Sequence, residues 1–185
     1  SAGALLASLA LFGLIFLPRP FDTQAVMVGA SALSGRAIDA FSRQMSQDLA
    51  LDSVYLMGTA AMWCAHAAMV SRVSDGLSRL VMAMGIGSVL LDVAENEVRW
   101  SATRIAQLTG HFPGDLGAVW LTLVGLSYWP LFIAAMVTGA IQAAQTPAGR
   151  IQLTVACIPI AAAPVIYLEG VLPIVIWLVT WHLCS

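Results

Sequence analysis

The chain has 185 residues, of which 59% are hydrophobic and only 10% are charged. Because soluble domains typically carry about 25% charged residues, this composition excludes an ordinary soluble domain and indicates an integral membrane protein. The formal net charge of −2 gives no indication of a nucleic-acid partner. The three cysteines, Cys64, Cys157 and Cys184, are an odd number, so no disulfide framework is predicted.

The first part of the chain contains two segments of different character. Residues 2–17 are apolar and end at a proline-rich turn, which predicts a first transmembrane helix. Residues 21–48 mix apolar and charged side chains, and Asp39 and Arg43 have the i,i+4 spacing of a helical ion pair. We therefore expect residues 21–48 to form an amphipathic helix along the membrane interface.

Four further apolar segments follow, over residues 49–70, 80–100, 118–144 and 151–182. The predicted third span, which begins at residue 80, has no proline until after Thr109. Its helix is therefore expected to be longer than a hydrocarbon core of about 30 Å. The last segment contains three prolines and is predicted to be one irregular helix. The sequence thus predicts an all-α integral membrane helical bundle of about five transmembrane helices plus one interfacial amphipathic helix, in one domain of residues 1–185.

Two predicted helices each carry a stripe of polar side chains at helical spacing. Such stripes cannot face lipid without a large cost, so they face protein or a wet cavity. We expect the two stripes to face each other, although each could instead face a partner protein. The polar network predicted from them comprises Asp52, Tyr55, Asp92, Glu95, Asn96 and Arg99.

The chemistry of these residues allows several interpretations. A carboxylate inside a membrane costs about 2.5–3.5 kcal/mol, so it is usually paired or functional. Arg99 lies one turn after Glu95 and is its expected partner. The acids also resemble ligands of a divalent cation, but the set is incomplete and no metal site is predicted.

Other kinds of site receive less support from the sequence. His66 lies deep in the second apolar segment, either hydrogen-bonded to a neighbouring helix or as a possible cofactor ligand, for example to haem iron or chlorin magnesium. The identity of any cofactor is unknown. No nucleophile motif or phosphate-binding loop is present, so no catalytic residue is predicted.

A pair of short motifs carries a resemblance to known sequences. Leu51-Asp52 in one segment and Leu91-Asp92-Val93-Ala94-Glu95-Asn96 in the next resemble the LD and LDxxEN motifs of uncharacterised bacterial multi-pass membrane proteins. The resemblance covers about residues 21–144. It implies a four-span core with Asp52, Asp92, Glu95 and Asn96 as signature positions, and it implies no activity. The chain departs from the pattern in having only Tyr55 after the first motif and no lysine in the fourth span.

These observations lead to three hypotheses about function. The first is a non-enzymatic integral membrane subunit or accessory protein of a larger assembly, multi-pass in a bacterial inner membrane, with lipid and other membrane subunits as partners. The second is a small transporter or proton-coupled channel that uses Asp52, Asp92 and Glu95. The third is a cofactor-binding membrane protein that uses His66. A polar cavity between the stripes would favour transport, whereas complete burial of the stripes would favour a subunit.

Overall fold

The computed structural model describes residues 2–154 except 17, 19, 28, 30–32, 34, 148–149 and 152. This part of the chain contains helices and turns and no strand, which confirms the all-α prediction there. The predicted segment 151–182 lies almost wholly outside the described residues. The helices are α1 (Ala2–Phe16), α2 (Thr23–Met27), α3 (Arg36–Val70), α4 (Asp75–Thr109) and α5 (Gly114–Ala143).

Three of these helices, α3, α4 and α5, are long and apolar enough to cross a membrane. At 1.5 Å per residue, the 35-residue helices α3 and α4 are each about 52 Å long, so each extends beyond a hydrocarbon core of about 30 Å. α1 is a shorter apolar helix. The described helices thus support three membrane spans, and they do not establish the predicted number of about five.

No helix ends at the predicted boundary between an interfacial helix and a span at residues 48 and 49. The structure has one continuous helix, α3, from Arg36 to Val70. No glycine or proline occurs between Arg36 and Gly58, so nothing in the sequence breaks the helix there. The change from a charged to an apolar segment therefore marks a change of environment along one helix. Among the described residues of 21–48, the five-residue α2 is the one helix separate from α3.

Local signals set both ends of α4. The Ser74 hydroxyl accepts a hydrogen bond from the Leu77 backbone N–H at 3.3 Å and caps the first turn. Gly110 ends the helix with φ of 77°, the left-handed conformation that glycine adopts without strain. α3 and α4 are antiparallel because only a short turn joins them.

Consecutive long helices are neighbours in space. α1 packs on α3, α3 on α4, and α4 on α5, whereas α3 and α5 touch only marginally. The main apolar core joins α1, α3, α4 and α5 and includes Trp63, Val81 and Leu131. These helices also enclose the cavity that forms the site described below.

A second apolar cluster covers the charged half of α3. Phe41 and Met45 are fully buried there, with Phe112 packed against them. The Gln44 side chain accepts from the Phe21 N–H at 3.2 Å and donates to the Phe21 carbonyl at 3.0 Å. The apolar face of this half of α3 is thus covered by the chain segment that precedes the helix.

Close packing of α1 on α3 gives a first testable prediction. A Cβ atom added at Gly58 would lie 2.6 Å from the Ala7 nitrogen and 2.7 Å from the Gly3 carbonyl oxygen, both backbone atoms of α1. Gly58→Ala should therefore lower the free energy of unfolding by about 1–3 kcal/mol, as overpacking does. Thermal unfolding in detergent measures the effect.

The matched control is Gly87→Ala in α4, where an added Cβ meets no atom within 4 Å. This change should leave stability unchanged or raise it, since alanine favours a helix over glycine. Equal stability losses in the two variants would contradict the proposed packing of α1 on α3.

Candidate functional site

The two predicted polar stripes face each other. The Asn96 side-chain amide on α4 donates a hydrogen bond to the Asp52 carboxylate on α3. The alternative, in which each stripe faces a partner protein, is wrong for these two residues. Their contact brings the LD motif and the LDxxEN motif together across the α3–α4 interface.

Arg99 extends this contact into a network. Its Nη1 donates to the Asn96 side-chain oxygen at 3.0 Å. The guanidinium also lies 3.9 Å from Glu95 and 4.0 Å from Asp48. Arg99 is therefore shared between two acids. The expected Glu95–Arg99 ion pair is present, but its N–O distance is long.

Glu95 has a second partner on a third helix. The Trp120 indole N–H on α5 donates to the Glu95 Oε1 at 2.9 Å. Trp120 is buried and was not predicted as a site residue. The helical spacing of the buried residues Trp120, Ser127 and Leu131 on α5 is the sequence signal that could have identified this face.

A cavity of about 150 Å³, which we call the interhelical cavity, is lined by residues of α1, α3, α4 and α5. Part of its wall is formed by the predicted residues Asp52, Tyr55, Asp92, Glu95 and Arg99. The predicted residue Asn96 is not part of the wall, but it is hydrogen-bonded to two wall residues, Asp52 and Arg99. The remaining wall residues are Leu11, Leu56, Thr59, Ser88, Val89, Ser127, Tyr128 and Leu131.

Asp92 differs from the other acids of the cavity. It makes no hydrogen bond or ion pair with any residue that the structure describes, whereas Asp52 and Glu95 both accept hydrogen bonds. Of the described residues that line the cavity, Arg99 is the sole cation beside the carboxylates of Asp52, Asp92 and Glu95. The cavity therefore has more carboxylates than basic groups, and one of those carboxylates is unpaired.

His66 lies apart from this arrangement. The residue is buried, with 5% exposed, and its ring packs edge-on against the Trp63 indole at 5.4 Å between ring centroids. His66 is not among the residues that line the interhelical cavity. Within the described part of the chain, no three His, Cys, Asp or Glu side chains converge in a way that could hold a metal ion.

These features define a class: a helical membrane protein with a carboxylate-lined cavity between its long helices. Searches of protein-family models, of characterised proteins and of solved structures found no significant match to this chain. The geometry of the cavity is therefore the basis for inferring function.

Removal of Arg99 tests the network. Arg99→Ala would leave Glu95 and Asp48 without their shared cation, and breaking a buried pair typically costs about 3–5 kcal/mol. We expect a loss of about 3 kcal/mol in the free energy of unfolding, because both carboxylate distances are long. Denaturant unfolding in detergent micelles measures it.

Arg104→Ala is the matched control on the same helix. Arg104 is exposed, contacts Gln107 at 3.1 Å and lies over the Trp100 ring, so its loss should cost less than about 1 kcal/mol. If both variants were equally stable, Arg99 would not be neutralising buried acids.

Proposed function

We propose that this chain is a small multi-pass membrane protein that carries protons, alone or with a solute, through the interhelical cavity. The residues that act are Asp52, Asp92 and Glu95. The observation that carries the proposal is the unpaired Asp92 carboxylate on the wall of a cavity between helices long and apolar enough to span a membrane. This was the second hypothesis from sequence, and the presence of a polar cavity favours it over complete burial of the stripes.

The charges around the cavity support a role in proton transfer. An ionised carboxylate in an apolar bundle is costly unless a cation or a proton neutralises it. Arg99 lies within 4.0 Å of Glu95 and Asp48, so its charge is shared with these two acids and acts on Asp92 only at longer range. Asp92 can therefore gain stabilisation by taking up a proton or another cation from the cavity.

The neighbouring groups fit a relay with Asp92 at its centre. Asp52 accepts a hydrogen bond from Asn96, and Glu95 accepts one from Trp120. These contacts hold both carboxylates at the wall of the cavity that Asp92 also lines. A proton taken up by Asp92 can pass to Asp52 or Glu95 through water in the cavity, and the donor carboxylate is then ionised again.

The second candidate is the subunit or accessory protein of a larger membrane assembly. It is favoured by the hydrogen bonds that join three helices, Asn96 to Asp52 and Trp120 to Glu95, because a purely structural network needs the same contacts. In this case the Asp92 carboxylate would bind nothing, and the protein alone would carry no flux.

Proton flux in vesicles separates the two candidates. We expect purified wild-type protein to dissipate an imposed pH gradient in liposomes loaded with a pH-sensitive dye. Asp92→Asn keeps the side-chain shape but cannot take up and release a proton, so the flux should fall at least about tenfold.

Glu97→Gln is the control, because Glu97 lies two residues from Glu95 on the exposed side of α4 and does not line the cavity. Its flux should match wild type. Absence of flux in well-folded wild-type protein, or equal flux in Asp92→Asn, would reject the proposal in favour of the structural subunit.

A further inference from the structure

The interhelical cavity is charged at one end and uncharged at the other. On α3 the wall runs from Asp52 to Thr59, and on the antiparallel α4 it runs from Arg99 back to Ser88. Because Asp52 contacts Asn96, the carboxylates of both helices lie toward the same end. The apolar wall residues Leu56, Val89 and Leu131 belong to the main core.

The size of the cavity exceeds what a proton relay requires. A volume of about 150 Å³ matches that of cavities that bind a molecule as large as benzene. A proton needs only a few ordered waters. A bare divalent cation is also a poor fit, because no three acid, histidine or cysteine side chains of the described chain converge on one point.

One charged group in the wall, the Asp92 carboxylate, makes no hydrogen bond or ion pair with a described residue, whereas the Thr59 hydroxyl bonds to Tyr55. From the α3–α4 register, Thr59 lies level with Val89, about one helical turn or 5 Å from Asp92. A small ligand with its charged group at Asp92 therefore has about one helical turn of wall along which its uncharged part can lie.

We infer that the interhelical cavity binds a compact protonated amine. Its ammonium group contacts Asp92, and its short hydrocarbon group lies against Leu56, Val89 and Leu131. An ammonium group has three N–H donors and a positive charge that offsets the excess of carboxylates over Arg99, and Tyr55 and Tyr128 add aromatic rings that favour cations. This inference rests on the proposed function and names the class of solute that moves with or against protons.

Calorimetric titration of the purified protein in detergent with n-alkylammonium ions, from methyl to octyl, tests the inference. Affinity should rise with chain length while the alkyl group fits, and fall once the molecule exceeds about the volume of benzene. The neutral alcohol of the same length should bind at least about tenfold more weakly, since it leaves Asp92 without a cation. A flat response to chain length, or equal binding of alcohols, would overturn the inference.

Variants locate both ends of the bound amine. Asp92→Asn should weaken butylammonium binding at least about tenfold, and Glu97→Gln should leave it unchanged. Val89→Ala enlarges the apolar end and should shift the preferred amine to a longer chain, whereas Val93→Ala, exposed on the same helix, should not. Butylammonium binding that survives in Asp92→Asn would reject this site.

The two proposals fail in different ways. Proton flux that depends on Asp92, without ammonium binding to wild type, would reject the amine and leave proton transport standing. Ammonium binding that depends on Asp92, without proton flux, would reject proton transport and support an amine-binding membrane protein.

Discussion

The cost of placing carboxylates inside an apolar helical bundle is the constraint on which the rest of the structure depends. The Asn96 amide meets part of that cost, because it donates to Asp52 and accepts from Arg99 at the same time. An amide has both a donor and an acceptor group, so one Asn side chain can bridge a carboxylate and a guanidinium. Arg99 then reaches Glu95 and Asp48, and one cation serves acids on two helices.

This network fixes how the long helices lie against one another. The α3–α4 register is held along its length by hydrogen bonds of Ser78 to Ala67, Asn96 to Asp52 and Gln107 to Ser42. The Trp120–Glu95 hydrogen bond attaches α5 to the same point of α4. Since α3 and α5 scarcely touch, the polar side chains between them border a cavity instead of a dry interface. The unpaired Asp92 in that wall makes it a candidate site for a proton or a cation.

Much of the fold follows from helical periodicity and composition. The two polar stripes were predicted from residues that recur every three or four positions, and the contact of Asp52 with Asn96 follows from antiparallel helices joined by a short turn. The expectation of two separate helices on either side of residues 48 and 49 was wrong, because a change in polarity was interpreted as the end of a helix. Helices end at glycine, proline or caps, and α3 has none of these near Asp48.

The sequence by itself determined the class of protein, the apolar helices and the two acidic stripes, because these depend on composition and on residue spacing within one helix. The tertiary structure alone decided which groups are paired. It brought Trp120 to Glu95 and Tyr128 to the cavity, shared Arg99 with Asp48, and left Asp92 without a hydrogen bond or ion pair to a described residue. Pairing depends on the rotation and separation of different helices, which local spacing does not specify. A side chain that is one turn from a partner along its own helix can still be closer to a group on another helix.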